Sequence, residues 1–136
     1  MRRKRLLDSF ALLAYLNQEK GYEKVLDVMS EAQESENPVL MNEINMGEVY
    51  YILSRNRGQE KADYFIETIL AALPISTVSN GFNDVIDAAK IKAEYPISFA
   101  DCFAAATARK VDAVIVTGDP EFKKIEDLVA IEWIEP

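Results

Sequence analysis

Short apolar runs alternate with longer helical stretches along the whole chain, and that alternation leaves few folds open. The stretch from Ile97 to Asp119 shows the unit most clearly. An alanine-rich helix over 99–110 runs into an uninterrupted apolar strand over 113–116, closed by Thr117, Gly118 and Asp119. The same reading predicts strands over 3–7, 39–41, 75–78 and 129–133. It predicts helices over 10–17, with Ser9 as N-cap, and over 22–33, 42–56, 59–73 and 81–94, with a short turn or helix over 121–127. Pro38, Pro74 and Pro96 bar continuation of the helices before them. Periodicity puts Tyr22, Val25, Leu26 and Met29 on one buried face of the second helix. It puts Ala62, Phe65, Ile66, Ile69 and Leu73 on one side of the fourth. The third is apolar nearly all round, the pattern of a buried helix. Strands separated by helices in this order imply an α/β fold: a mainly parallel sheet, right-handed crossovers and helices on both faces.

The chain has 136 residues and no internal repeat, low-complexity tract or linker, so it reads as one domain over 1–136. Its apolar runs fall far short of the roughly 20 residues a membrane-spanning helix needs. The basic and then apolar N-terminus has the outline of a signal peptide. Asp8, Asn17 and Gln18 interrupt it and no small-residue cleavage site follows, so a cytoplasmic protein without membrane contact is expected.

The absence of histidine decides most of the chemistry. With a single cysteine, Cys102, it removes Ser-His-Asp and Cys-His nucleophilic sites, a histidine general base, an internal disulfide and a His- or Cys-built zinc site. What remains is carboxylate, hydroxyl or amine chemistry, or a hard metal held by oxygen. Net charge is −8, against the basic footprint of a simple nucleic-acid binder. A polyanion is still compatible once divalent cations neutralise the carboxylates, and so is a basic partner. The cations fall in groups at 2–5, 55–61, 90–92, 109–110 and 123–124, and a solvated helix face or terminus is the favoured reading of each.

Asp8, Glu48, Asp101 and Asp119 are the candidate site. In a parallel sheet ligands bind outside the carboxyl ends of the strands. Asp8 follows the first strand and Asp119 the fourth, and Asp101 reaches that edge if its helix starts there. Each has a structural alternative. Asp8 suits a helix N-cap. Ser98 to Asp101 fits a capping box. Asp119-Pro120 fits a cap followed by proline at the first helical position, with Gly118 allowing a close approach. Glu48 sits on an otherwise apolar helix face, with Arg55 as its structural partner and Asn45 placed to hold its carboxylate. Ser9 and Thr117 are the neighbouring hydroxyls, and Thr117 is placed to orient Asp119. Together, crowded carboxylates would repel unless cations held them, and oxygen-only ligands suit Mg²⁺ or Mn²⁺.

The segments LLDSFALLAYL, NMGEVYYIL, ISFADCFAAATA and VIVTGD, in this order and spacing, resemble the PIN-domain family. The likeness is greatest to the toxin ribonucleases of VapBC-type toxin–antitoxin pairs. It implies a three-layer α/β/α fold and a Mg²⁺- or Mn²⁺-dependent endoribonuclease acting on RNA. The family's acids carry over to Asp8, Glu48, Asp101 and Asp119, with Ser9, Asn45 and Thr117 in support. The resemblance further implies a homodimer and a small cognate antitoxin protein whose tail enters the active-site groove. An apolar strip on the first two helices is either dimer face or core. The chain departs from the pattern in its basic run before the first strand, in Pro120 after the last acid and in its acidity.

Two rival readings follow from the residues. One is a catalytically inactive module of the same fold that recognises a basic peptide. The other is a phosphatase or phospho-receiver using Asp8 as nucleophile, which fits poorly because such proteins commonly carry a second acid close by, whereas Ser9 and Phe10 follow here. No glycine-rich phosphate loop is present, which argues against a nucleotide-dependent NTPase.

Overall fold

The computed structural model describes residues 3–135. Arg2, part of the N-terminal basic group, lies outside them. Strands β1 (Lys4–Leu7), β2 (Val39–Asn42), β3 (Ile75–Val78), β4 (Ala113–Thr117) and β5 (Ile131–Trp133) form one sheet in the order β3-β2-β1-β4-β5, every pair parallel. From β1 the chain moves outward to β2 and β3, then returns to the other side of β1 for β4 and β5. The order therefore reverses between β1 and β4, and the crevice that opens there is where open α/β sheets bind ligands.

Alternation along the strands divides the core into two layers. Leu7, Met41 and Val116 face one layer, with α1 (Ser9–Leu16), α2 (Tyr22–Ser35), α3 (Glu43–Arg57) and α4 (residues 59–72). Leu6 and Ile115 face the other, with α5 (Phe82–Glu94), α6 (Phe99–Val111) and the 3₁₀ turn Pro120–Ile125. Helices thus cover both faces of a parallel sheet, the three-layer arrangement expected. The alanines of α6 are what let it lie close: Ala104, Ala105 and Ala108 are buried, and Cys102 packs among them.

Several details differ from the sequence reading. Asp8, not Ser9, caps α1, its Oδ1 accepting from the Ala11 N–H at 2.9 Å. The buried stripe of α2 is Val25, Val28, Met29 and Ala32, while Leu26 turns outward. Helix α3 is not buried all round: Asn45, Met46, Val49 and Leu53 point inward, but Ile44 and Tyr51 are exposed. Helix α4 carries a π-helical stretch, Phe65–Ile69, that leaves Ile66 exposed. The last strand starts at Ile131 rather than Val129, because Val129 belongs to the turn closed by its N–H to the Ile125 carbonyl.

Gly118 is one glycine whose size matters. A Cβ there would lie 2.6 Å from Phe10 Cε1 and 2.9 Å from Ile134 Cγ1. Glycine is what lets the loop after β4 run against α1, and it sets the approach of Asp119 to β1.

Candidate functional site

The parallel register brings the carboxyl ends of β1 and β4 side by side, with Leu7 opposite Val116. Asp8 is the next residue on one strand; Thr117, Gly118 and Asp119 continue the other. The Thr117 hydroxyl joins them. It donates to Asp8 Oδ2 at 2.5 Å and accepts from the Asp119 N–H at 3.0 Å. Thr117 therefore orients the carboxylate of Asp8 as well as the backbone of Asp119, the residue it was expected to serve.

The other acids arrive on helices. Ser98 caps α6, its Oγ accepting from the Asp101 N–H at 3.1 Å. That is one bond of the anticipated capping box, and it places Asp101 in the first turn. Asn45 bridges α3 to this turn: its Nδ2 donates to the Ala100 carbonyl at 3.1 Å. Asn45 does not hold Glu48 as anticipated; it anchors the backbone beside Asp101. Ser9, freed from capping, donates to Glu48 Oε1 at 2.6 Å. Glu48 and Arg55 form no ion pair among the described residues; the Arg55 guanidinium lies over the Tyr51 ring instead, 5.4 Å from its centre. Asp119 caps the 3₁₀ turn, accepting from the Glu121 N–H at 3.0 Å.

The acids sense one another. Asp8 is buried, and its carboxyl is pushed up to about 8. Burial is the main cause; the bonds from Thr117 and Ala11 oppose it, and the charges of Asp101 and Asp119 add to it. Asp101 rises to about 6, again chiefly by burial, opposed by Ser98 and reinforced by Asp119, Glu48 and Glu121. Glu121 is thus a fifth acid at this edge that the sequence reading missed. Its sole sequence signal is position, two residues beyond Asp119 in the turn that Asp119 caps. Its carboxylate pairs with Lys124 at 2.7 Å.

Among the described residues no three acidic side chains are arranged to hold one ion. The hydrogen bonds explain why: Asp8, Glu48 and Asp119 are each turned toward a hydroxyl or a backbone N–H. The donor set nevertheless fits a hard divalent cation. It is all oxygen and, among the described residues, its buried carboxylates Asp8 and Asp101 have no cation opposed to them, while Asn45 Oδ1, one turn from Glu48, is a buried acceptor without a partner. Mg²⁺ in particular is commonly held by one or two carboxylates and keeps several waters, so a closed cage is not required.

A family model described as PIN domain matches residues 5–128. No curated protein matches the sequence. Among solved structures the chain is similar to DNA-bound VapBC from Salmonella typhimurium, with 18% identity over 98% of this chain and 99% of that one and a TM-score of 0.73. It is similar to a toxin–antitoxin complex from Klebsiella pneumoniae, at 13% identity over 98% and 100% of the two chains, with a TM-score of 0.72. It is also similar to Mycobacterium tuberculosis VapC20, described as a sarcin-ricin loop cleaving toxin, at 16% identity over 88% and 93%, with a TM-score of 0.68. Identities this low speak for the fold alone. The family model, spanning most of the chain, speaks for descent: the chain belongs to the PIN-domain family.

Proposed function

We propose that this chain, as one domain over 1–136, is a divalent-metal-dependent endoribonuclease, the toxin of a toxin–antitoxin pair. The observation that carries the reading is the gathering of Asp8, Glu48, Asp101 and Asp119 about the β1/β4 crevice with, among the described residues, no cation opposed to Asp8 or Asp101. Those four side chains would hold Mg²⁺ or Mn²⁺. When bound, such an ion supplies Lewis acidity at a phosphoryl oxygen and makes water a better nucleophile near neutral pH. The protein's own part is to place and to move protons. Thr117 sets the carboxylate of Asp8, Ser9 sets Glu48, and Asn45 fixes the turn that carries Asp101. Hydrolysis of a phosphodiester takes a proton from water and returns one to the departing oxygen. An acid at this edge that is not among the four ligands, Glu121 beside Asp101, is placed to take part in that exchange.

The partners follow from kinship. VapBC structures pair a toxin with an antitoxin, and we propose that a small antitoxin protein and a second copy of this chain are partners here, with RNA as substrate and the cytoplasm as setting. Among the described residues no helix is long and apolar enough to cross a membrane. The net charge of −8 favours a rival, a PIN-fold module that binds a basic peptide without turnover. Purified, partner-free protein incubated with mixed cellular RNA in Mg²⁺, Mn²⁺ or EDTA separates the two. Cleavage that needs metal and disappears in Asp101→Asn is expected. Cleavage by Asp101→Asn at the wild-type rate would remove the assignment, and metal binding without turnover of any RNA would favour the rival.

A further inference from the structure

The acids are not the only unusual side chains at the carboxyl edge. Phe10 lies two residues after Asp8 and Phe99 two residues before Asp101, and they are 41% and 45% exposed. Neither belongs to either core layer. Each ring is nonetheless fixed from behind. Phe10 rests against the backbone of Gly118, so closely that a Cβ there would come within 2.6 Å of its Cε1. That contact sets the ring beside the loop between Thr117 and Asp119. Phe99 leans on the buried ring of Phe103, with centroids 5.0 Å apart and planes tilted by 59°. A ring held by a neighbour and still more than two-fifths exposed, beside a charged site, has apolar surface left over for a ligand.

We propose that Phe10 and Phe99 are stacking platforms for nucleobases that flank the phosphate to be cleaved. The inference rests on the reading of this site as a ribonuclease and names what positions its substrate. For an RNA substrate, charge gives such platforms a use. With a net charge of −8 and carboxylates gathered at the site, the chain gains little from attraction to the RNA backbone. Stacking does not depend on charge, and every base offers a face, with an effect of about tenfold or more in affinity per base. Both rings are positioning residues and take no part in bond making.

The test uses short single-stranded RNAs carrying 2-aminopurine at successive positions, whose fluorescence falls when the base stacks. Wild-type protein is compared with Phe10→Leu, Phe99→Leu and Phe99→Tyr. Tyr64→Leu, which removes an exposed aromatic from α4, is the control. Titrations in Ca²⁺ read affinity and quenching, and cleavage in Mg²⁺ reads kcat and KM. Each Leu variant should lose about tenfold in affinity and the quench at one position, with KM raised and kcat held, and Tyr should restore both. Full affinity and quench in both Leu variants, beside normal cleavage, would overturn the platforms while leaving the nuclease, and would reassign the rings to a partner protein. RNA that binds wild type with quenching, loses both in the Leu variants and is never cleaved would sink the nuclease and leave Phe10 and Phe99 as base platforms of a binding site. No binding of any RNA would overturn both.

Discussion

Arg5 and Asp8 stand three residues apart on the same strand edge, and their surroundings are opposites. Arg5 donates to both carboxylate oxygens of Glu132, at 2.8 and 3.0 Å, and also to Glu31, while Lys24 sits 3.0 Å from Glu132. Burial works to raise the Glu132 carboxyl, but the bonds from Arg5 and Lys24 prevail and hold it below its ordinary value. Asp8 has a hydroxyl and an amide for company, and burial drives it up to about 8. Carboxylates taken out of water are thus treated in two ways within one sheet. One cluster is neutralised by its own chain and stabilises the fold. The other is left short of cations, which makes sense if a cation from solution completes it.

Breaking the two clusters should separate activity from stability. The largest effect is expected from Asp8→Asn and Asp101→Asn, each lowering metal-dependent RNA cleavage by about 10²- to 10³-fold or more. The fold should survive, since asparagine still caps α1 at position 8. Thr117→Val removes the donor to Asp8 and should cost about tenfold in cleavage, with binding of Mn²⁺ weakened in parallel. Arg5→Met should do the reverse: unfolding in urea would show a loss of about 1–3 kcal/mol, with cleavage unchanged.

The sharpest contrast lies in pH. Asp8 and Asp101 are raised from 3.8 to about 8 and about 6, so without metal their contribution is intact at low pH and is lost as pH rises through those values. Glu132 is lowered, so its contribution is present above its ordinary 4.5 and is lost as pH falls. Metal-free protein should therefore melt highest in acid buffer, at about pH 4, and lose stability toward pH 8, and Mg²⁺ should raise the melting temperature on the alkaline side alone. A profile that is flat from pH 5 to 8, with or without Mg²⁺, would contradict the unopposed-acid description.

The strands and most helices were legible because their signals are local. Pro38 and Pro74 precede β2 and β3 almost directly, and α6 ends one residue from where its alanine-rich pattern runs out. The strand order was not legible, since nothing in β1 or β4 says that β4 returns beside β1 rather than beyond β3. Ser9 and Asp8 are both good caps in adjacent positions, and only the tertiary contact with Glu48 decides between them. The same holds for Asn45 and Arg55. Helical spacing puts each near Glu48, but the Ala100 carbonyl and the Tyr51 ring, contributed by the fold, take them away. The acids themselves were legible as residues at strand ends. That their side chains are engaged with hydroxyls and amides, rather than converging as a cage, was not.

The most direct test is binding of Mn²⁺ by electron paramagnetic resonance, on wild type, Asp8→Asn, Asp101→Asn and Glu132→Gln side by side. If the unopposed acids are the cation site, the bound-ion signal is present in wild type and Glu132→Gln and is lost or strongly weakened in the other two. Equal binding by all four proteins, or none by wild type, would contradict the account.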